Sequence, residues 1–236
     1  MTTPRDWRML MAELRAEQTA RAERLVDRTL RSASDAIPSP GQLAQMQPAE
    51  VAASVTAGLV RVQFTAKLGA AGETLTRNAL IGVNGVTAAT IGHEILLDAP
   101  RSVAVLQNGG TRLSRLEPAT ARVVTSIVAA GRSEGASPSQ IASRLKTRVP
   151  AGRFQSAAVR AQVIARTEVR YAQNVAAVAV AEDAGIDEVE LLDGQLPDSD
   201  DFCRSRHRTI VPLRTAMSLL DQEHPNGTLD FIPVVR

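Results

Sequence analysis

The sequence is poor in cysteine and in aromatic residues. Cys203 is the only cysteine among 236 residues, which excludes an internal disulfide framework and a Cys-x-x-Cys metal site. Aromatic residues make up 3% of the chain, and Trp7 is the only tryptophan. So few rings exclude the stacking platforms on which single-strand nucleic-acid binders hold bases. This cysteine usage favours an intracellular or capsid-enclosed protein over a secreted one.

Long hydrophobic runs are also missing. The longest weakly polar segments, 123–131 and 175–181, are much shorter than the roughly 20 residues that a membrane-spanning helix needs. We therefore predict no membrane span and no membrane partner.

A formal net charge of +2 conceals an uneven distribution along the chain. Residues 1–98 carry 10 basic and 10 acidic residues, residues 99–180 carry 12 and 3, and residues 181–236 carry 5 and 12. The middle of the chain is therefore strongly basic and its end is acidic. This pattern indicates that the basic segment contacts an acidic partner or that the basic and acidic segments contact each other.

Helical patterns dominate the first four-fifths of the chain, and alternating strand patterns occur only near its end. We predict a mostly α protein with a small C-terminal α+β domain, in which a long helix over 153–184 packs on a small antiparallel sheet. The predicted divisions are an N-terminal helix over 1–36, a helical domain over 37–115, and a third domain over 116–236, with its helices in 117–184 and its α+β end in 186–236.

Glycines are dense between positions 69 and 92. Glycine in a helix interior costs about 1 kcal/mol relative to alanine. We therefore expect short helices joined by turns in this stretch rather than one long helix.

The predicted long helix carries a glutamate within an apolar stripe. The stripe has spacings of 4, 3, 4 and 3 and consists of Ile164, Glu168, Tyr171, Val175 and Val178. A buried carboxylate is costly unless it is paired. We expect Glu168 to form a structural ion pair that holds the helix on the sheet, with general acid-base catalysis as the alternative. Arg166 is expected to pair with Asp193.

Several segments of the C-terminal half follow one another in the order typical of one family. They are Ile164-Ala165-Arg166-Thr167-Glu168, Asn174, Leu192-Asp193-Gly194, Asp200-Asp201-Phe202-Cys203 and His224-Pro225-Asn226-Gly227. Residues 116–235 thereby resemble the C-terminal domain of phage Mu F-like minor head proteins, the phage head morphogenesis family. The resemblance implies a structural network made of Arg166, Thr167, Glu168, Asn174, Asp193, Cys203, His224, Pro225, Asn226 and Gly227.

The chain departs from the family pattern at its cysteine positions. Arg206 follows Cys203 where members often have a second cysteine, and the terminal turn lacks both cysteines of the HPNCRC pattern. Because a zinc site needs about four ligands and only Cys203, His224 and His207 remain, we predict no metal and no cofactor. The segment 224–227 is interpreted as a tight turn in which His224 bonds a carboxylate such as Glu168. A hydrolase that uses Cys203 and His224 is the alternative.

A basic cluster precedes the long helix. It consists of Arg144, Lys146, Arg148, Arg153 and Arg160, and no acidic residue lies between Glu134 and Glu168. The cluster predicts non-specific contact with DNA phosphates or with an acidic protein, and a solvated face paired with the acidic end is the simpler interpretation.

The resemblance implies a non-enzymatic minor capsid protein of a tailed bacteriophage, located inside the head near the portal and in the host cytoplasm during assembly. Its implied partners are the portal protein, the major capsid protein and double-stranded DNA, and its implied roles are head assembly and genome packaging or ejection. The alternatives are a head-to-tail adaptor and a hydrolase or transferase that uses Glu168 and His224.

Overall fold

The computed structural model describes residues 4–92, 104–105, 112, 116–193, 199–225 and 227–235. The helices are α1 (Pro4–Ser32), a 3₁₀ turn (Ala33–Ala36), α2 (Pro40–Gln45), α3 (Pro48–Arg61), α4 (Phe64–Ile91), α5 (Leu116–Ser133), α6 (Pro138–Ala151), α7 (Ala157–Asp183), α8 (Asp201–Arg206) and α9 (Leu213–Asp221). The strands are β1 (Glu188–Leu192), β2 (Ile210–Pro212) and β3 (Asp230–Pro233). The predicted fold class is confirmed: the chain is mostly α, with a small antiparallel sheet near its C-terminus.

The chain forms two compact units, each assembled from separate segments. Unit 1 comprises Met1–Ala22, Glu73–Gly109 and Ile164–Arg236, and unit 2 comprises Glu23–Gly72 and Gly110–Val163. This division differs from the predicted boundaries at 36 and 115. The reason is that α1, α4 and α7 are long helices, and each contributes residues to both units.

Unit 1 has a core to which the first helix contributes. Trp7 and Met11 of α1 are 4% and 7% exposed, and they belong to one buried cluster with residues of α4, α7 and β3. The other members of this cluster are Leu80, Val83, Val86, Ala176, Ala177, Val180 and Ile232. The N-terminal helix is thus a structural part of the same unit as the C-terminal sheet.

The sheet of unit 1 has the strand order β2-β1-β3, and both pairings are antiparallel. Val189 pairs with Val211 on one side and with Pro233 on the other. Val189 and Leu191 are both fully buried, as the alternating sequence of β1 predicts. They pack in a cluster with Val178 and Ala181 of α7, with α9, and with Leu229 and Phe231.

Unit 2 is helical in its described part. Val51, Val55 and Leu59 of α3 are each 1% exposed, as their spacing predicts. The start of α6 carries a capping box, in which the amide of Gln140 donates to Ser137 Oγ and the Gln140 side chain accepts from the amide of Ser137.

The expectation of several short helices between 69 and 92 is wrong, because α4 runs unbroken from Phe64 to Ile91. Buried side chains at helical spacing, among them Phe64, Leu68, Leu75 and Leu80, stabilise it by packing. In addition, Gly82 lies against the Leu14 side chain, where a β-carbon would come within 2.5 Å of Leu14 Cδ1. Tertiary packing therefore outweighs the low helix propensity of glycine.

Among the described residues, none of the helices has the length and apolar character needed to cross a membrane.

Candidate functional site

A buried charge network in unit 1 is centred on Arg206 of α8. The guanidinium Nε donates to Asp193 Oδ2 at 2.8 Å, and a second nitrogen contacts the carboxylate of Glu223. The Asp193 side chain is fully buried, and its other oxygen accepts from Thr228 Oγ1 at 2.6 Å. Burial alone would lower the pKa of Arg206, but the hydrogen bonds to Asp193 and Glu223 raise it overall. The network joins the end of β1 to α8 and to the segment between α9 and β3.

The predicted pairing of Arg166 with Asp193 is wrong. Arg166 is exposed, and Asp193 accepts from Arg206 and Thr228 instead. Sequence reasoning missed Arg206 as a functional residue. The available signal was its place at the position where members of the resembled family often have a second cysteine.

Asn174 holds α7 against the last strand. Its side-chain amide donates to the carbonyl of Leu229 at 2.8 Å, and its oxygen accepts from the amide of Phe231 at 3.1 Å. Asn174 is 2% exposed, so these bonds satisfy backbone groups that water cannot reach. This predicted network residue thus lies at a junction between helix and sheet.

Glu168 does not lie at the centre of the buried face of α7. It is half-buried, as are Thr167, Ile164 and Tyr171, whereas Ala165 and Val169 are fully buried. The small residues of α7 face the core, and the stripe identified in the sequence lies beside that face. A half-buried carboxylate loses less hydration than a buried one, so its free-energy cost is smaller. The position of Glu168 therefore does not by itself require an ion pair.

A second polar cluster brings together Asp200, Cys203 and His224, which the predicted network contained only in part. Asp200 precedes α8 and caps it, since Asp200 Oδ1 accepts from the amide of Cys203 at 2.8 Å. His224 follows α9. One side-chain ligand atom from each of the three residues lies within 4.8 Å of the others. Cys203 is buried, whereas Asp200 and His224 are exposed.

The turn after α9 places His224 in this cluster, beside Asp200 and Cys203. The amide of Gly227 donates to the carbonyl of His224 at 2.9 Å, as a tight turn requires. A β-carbon at Gly227 would overlap the Glu223 carboxylate. Pro225 is exposed, and the predicted network residue Asn226 lies outside the described residues, as does Gly194.

The geometry does not favour a cysteine hydrolase at this cluster. Burial, together with a hydrogen bond between the thiol and Asp200, raises the pKa of Cys203 to about 11, so the protonated thiol dominates at neutral pH. Asp200 contacts the thiol and the amide of Cys203, whereas a catalytic acid residue orients the histidine. A thiol, an imidazole and a carboxylate in one place can instead hold a cation.

His207, the third candidate ligand of the sequence, lies apart from this cluster. Its Nδ1 accepts from the amide of Asp193 at 3.3 Å, which holds the imidazole against the end of β1.

The predicted basic cluster divides into structural and exposed members. Arg160 is 4% exposed and donates to the carbonyls of Val149 and Pro150 at 3.2 and 3.1 Å. Its burial lowers its pKa to about 10. Arg160 therefore satisfies the C-terminal carbonyls of α6 and is withdrawn from contact with DNA.

The other four basic side chains of the cluster are exposed. Arg144 forms an ion pair with Glu134 at 2.6 Å. Lys146, Arg148 and Arg153 are exposed and have no ion pair to an acidic residue in the described part of unit 2. These three side chains are the members available to an anionic partner.

Charge is distributed unequally between the units. The segments of unit 2 contain 14 basic and 6 acidic residues, a net charge of +8, and those of unit 1 contain 13 and 19, a net charge of −6. An anionic partner would therefore be attracted to unit 2.

Comparison of the chain with protein-family models, with curated proteins and with solved structures gave no match.

Proposed function

We propose that this chain is a minor head protein of a tailed bacteriophage, which acts inside the head near the portal by binding and positioning its partners. The observation that carries the proposal is the convergence of motif residues in unit 1. Asn174, Asp193, Cys203 and His224, which come from separate elements of the resembled pattern, all contribute to polar contacts at one end of the sheet.

The chemistry of these contacts supports binding rather than turnover. The side-chain amide of Asn174 and two of the three guanidinium nitrogens of Arg206 bond partners within the unit, and the Cys203 thiol is not activated. An α+β unit and a basic helical unit in one chain suit an assembly role, in which the portal protein and the major capsid protein would be its partners during head assembly in the host cytoplasm.

The decisive experiment is mass spectrometry of purified particles of the phage whose genome encodes the chain. We expect the chain in mature heads, protected from added protease until the heads are opened, and its deletion to reduce the yield of infectious particles while leaving host growth unchanged. Absence of the chain from purified heads would overturn the proposal.

Copy number distinguishes the proposed role from a head-to-tail adaptor. An adaptor forms a symmetric ring, so its copies per particle equal the ring symmetry, and it remains with the neck after the heads are opened. A minor head protein of the proposed kind is present in a number unrelated to that symmetry and is released from opened heads. Quantitative mass spectrometry of heads and necks measures both quantities.

Contact with DNA is the second part of the proposal. Lys146, Arg148 and Arg153 are exposed within a unit of net charge +8. The described residues offer many arginines but few aromatic rings, which favours phosphate contact over base stacking. Such binding would be insensitive to sequence and sensitive to salt.

A further inference from the structure

In the cluster of Asp200, Cys203 and His224, two potential metal ligands, Asp200 and Cys203, lie on one side of the start of α8. Asp200 is the N-cap of α8, and Cys203 is the third residue of that helix. A spacing of three residues at a helix start brings both side chains to the same side of the first turn. The third donor, His224, comes from the turn after α9, so the donors belong to two separate elements of unit 1.

The donor types select among metal ions. Sulfur and imidazole nitrogen are ligands of Zn²⁺, whereas Mg²⁺ and Ca²⁺ prefer sites made entirely of oxygen. Three protein ligands leave one tetrahedral position for water. We propose that Asp200, Cys203 and His224 bind one Zn²⁺ ion, with water as the fourth ligand.

The charges around the cluster are compatible with a cation. One carboxylate and one thiolate balance the two positive charges of the ion. The nearby charge of Arg206, whose nitrogen lies 3.7 Å from Cys203 Sγ, is already compensated by Asp193 and Glu223. An N–H group directed at the sulfur also stabilises a thiolate ligand.

Accessibility allows the ion to enter without unfolding of unit 1. Asp200 and His224 are exposed and form the outer side of the cluster, and the buried Cys203 forms its inner side. The bound ion would connect α8 to the turn at 224–227 by three coordinate bonds. This turn precedes β3, so the metal would stabilise the closing segment of the sheet.

Spectroscopy of the Co²⁺-substituted full chain, without an affinity tag, tests the site. Because Cys203 is the only cysteine, any thiolate-to-cobalt charge-transfer band reports on this residue alone. We expect one Co²⁺ per chain, a charge-transfer band with intense four-coordinate d–d bands, and displacement of the cobalt by Zn²⁺. The Zn²⁺ complex should also unfold at a higher temperature than the chelator-treated chain.

Variants separate the site from incidental binding. Asp200→Asn, Cys203→Ser and His224→Ala should each weaken Zn²⁺ binding by at least about 100-fold, more than the loss of an outer hydrogen-bond partner does. His207→Ala is the matched control, because His207 bonds the backbone of Asp193 outside the cluster, and it should bind normally. Circular dichroism checks that each variant is folded. Because His224 is exposed, His224→Ala is the variant least prone to misfolding.

Three results would overturn the assignment. The first is the absence of stoichiometric Zn²⁺ binding by the wild-type chain at micromolar concentrations. The second is binding that survives His224→Ala in a folded chain, and the third is an equal loss of binding in His207→Ala. None of these results bears on the presence of the chain in phage heads, so the metal site and the proposed function can fail separately.

Discussion

At the scale of single residues, two buried polar side chains hold the elements of unit 1 together. Asn174 satisfies backbone groups on both sides of Asp230, and Arg206 neutralises two acidic residues from different segments. Both side chains are less than a tenth exposed, so water cannot replace the bonds that a mutation removes.

Substitution of Asn174 by alanine should destabilise unit 1 by about 2–4 kcal/mol, because a buried carbonyl and a buried amide each lose their partner. Urea unfolding followed by the fluorescence of Trp7, the only tryptophan and a member of the unit 1 core, measures the change. Arg166→Ala, on the exposed side of the same helix, is the control and should change stability by less than about 0.5 kcal/mol. Equal effects of the two substitutions would contradict this role of Asn174.

Substitution of Arg206 by methionine should cost about 3–5 kcal/mol, because Asp193 and Glu223 are left as unpaired buried charges. Arg204→Met is the control on the same helix, since Arg204 pairs with the fully exposed Asp201 and should contribute at most about 1 kcal/mol. Thermal unfolding of the two variants under identical conditions gives the comparison. If both midpoints shift alike, Arg206 is not the centre of the network.

Individual residues of unit 1 could be singled out from the sequence, but their partners could not. The family resemblance singles out Asn174 and Asp193. The burial of Arg206 and Arg160 has no signal in composition or spacing, because each is one arginine among many. Which arginine is buried depends on where the short helix α8 and the end of α6 lie in three dimensions.

At the scale of elements, local sequence signals coincide with several helix starts and ends. Ser137 and Gln140 start α6, and Gly185, with a φ of 71°, ends α7. Helix α4 was not predictable in this way, because it is stabilised by buried side chains and, at Gly82, by close packing against Leu14 of a distant segment. A glycine in a helix therefore has opposite effects on stability at the two kinds of position. It permits packing at a close contact, and it only weakens the helix at an open surface.

Gly58 and Gly85 provide a test of that difference. A β-carbon at Gly58 of α3 would lie 2.5 Å from the backbone oxygen of Ala36, whereas Gly85 of α4 is exposed with nothing within 4 Å. Gly58→Ala should destabilise the chain despite its better helix propensity, and Gly85→Ala should stabilise it by up to about 1 kcal/mol. Urea denaturation of both variants checks the signs, and a stabilising Gly58→Ala would show that the two segments can move apart at little cost.

At the scale of the whole molecule, folding rearranges the charge pattern of the sequence. The basic middle of the chain does not form a unit alone, since residues 164–180 belong to the same unit as the acidic end and residues 110–163 belong to the same unit as residues 23–72. The charge asymmetry predicted from the sequence is retained, but the boundaries of the units are not. The unit boundaries depend on contacts between segments far apart in the sequence. The periodicity of apolar residues does not reveal such contacts.

The charge of unit 2 predicts salt-dependent binding of duplex DNA. Replacing Lys146, Arg148 and Arg153 by glutamine should weaken binding at low salt and reduce the slope of log affinity against log salt by up to about 3. Fluorescence anisotropy of labelled DNA across a salt series measures both effects. The control replaces Arg166, Arg204 and Arg214, exposed arginines of unit 1, by glutamine and alters the net charge equally. Identical losses in the two triple variants, or no binding by the wild type, would count against a DNA surface on unit 2.

The ion pair between Arg15 and Asp230 joins residues 215 positions apart, and it lies in the same unit as Trp7. During translation, α1 therefore leaves the ribosome long before the last strand, which completes its binding surface, exists. At about 5–20 residues per second, Trp7 and Met11 wait roughly 10–50 s for the last strand. Leu80, Val83 and Val86 of α4 are made much earlier, so α1 can cover part of its apolar side with α4 first, and its contacts with Asp230 and Ile232 form last.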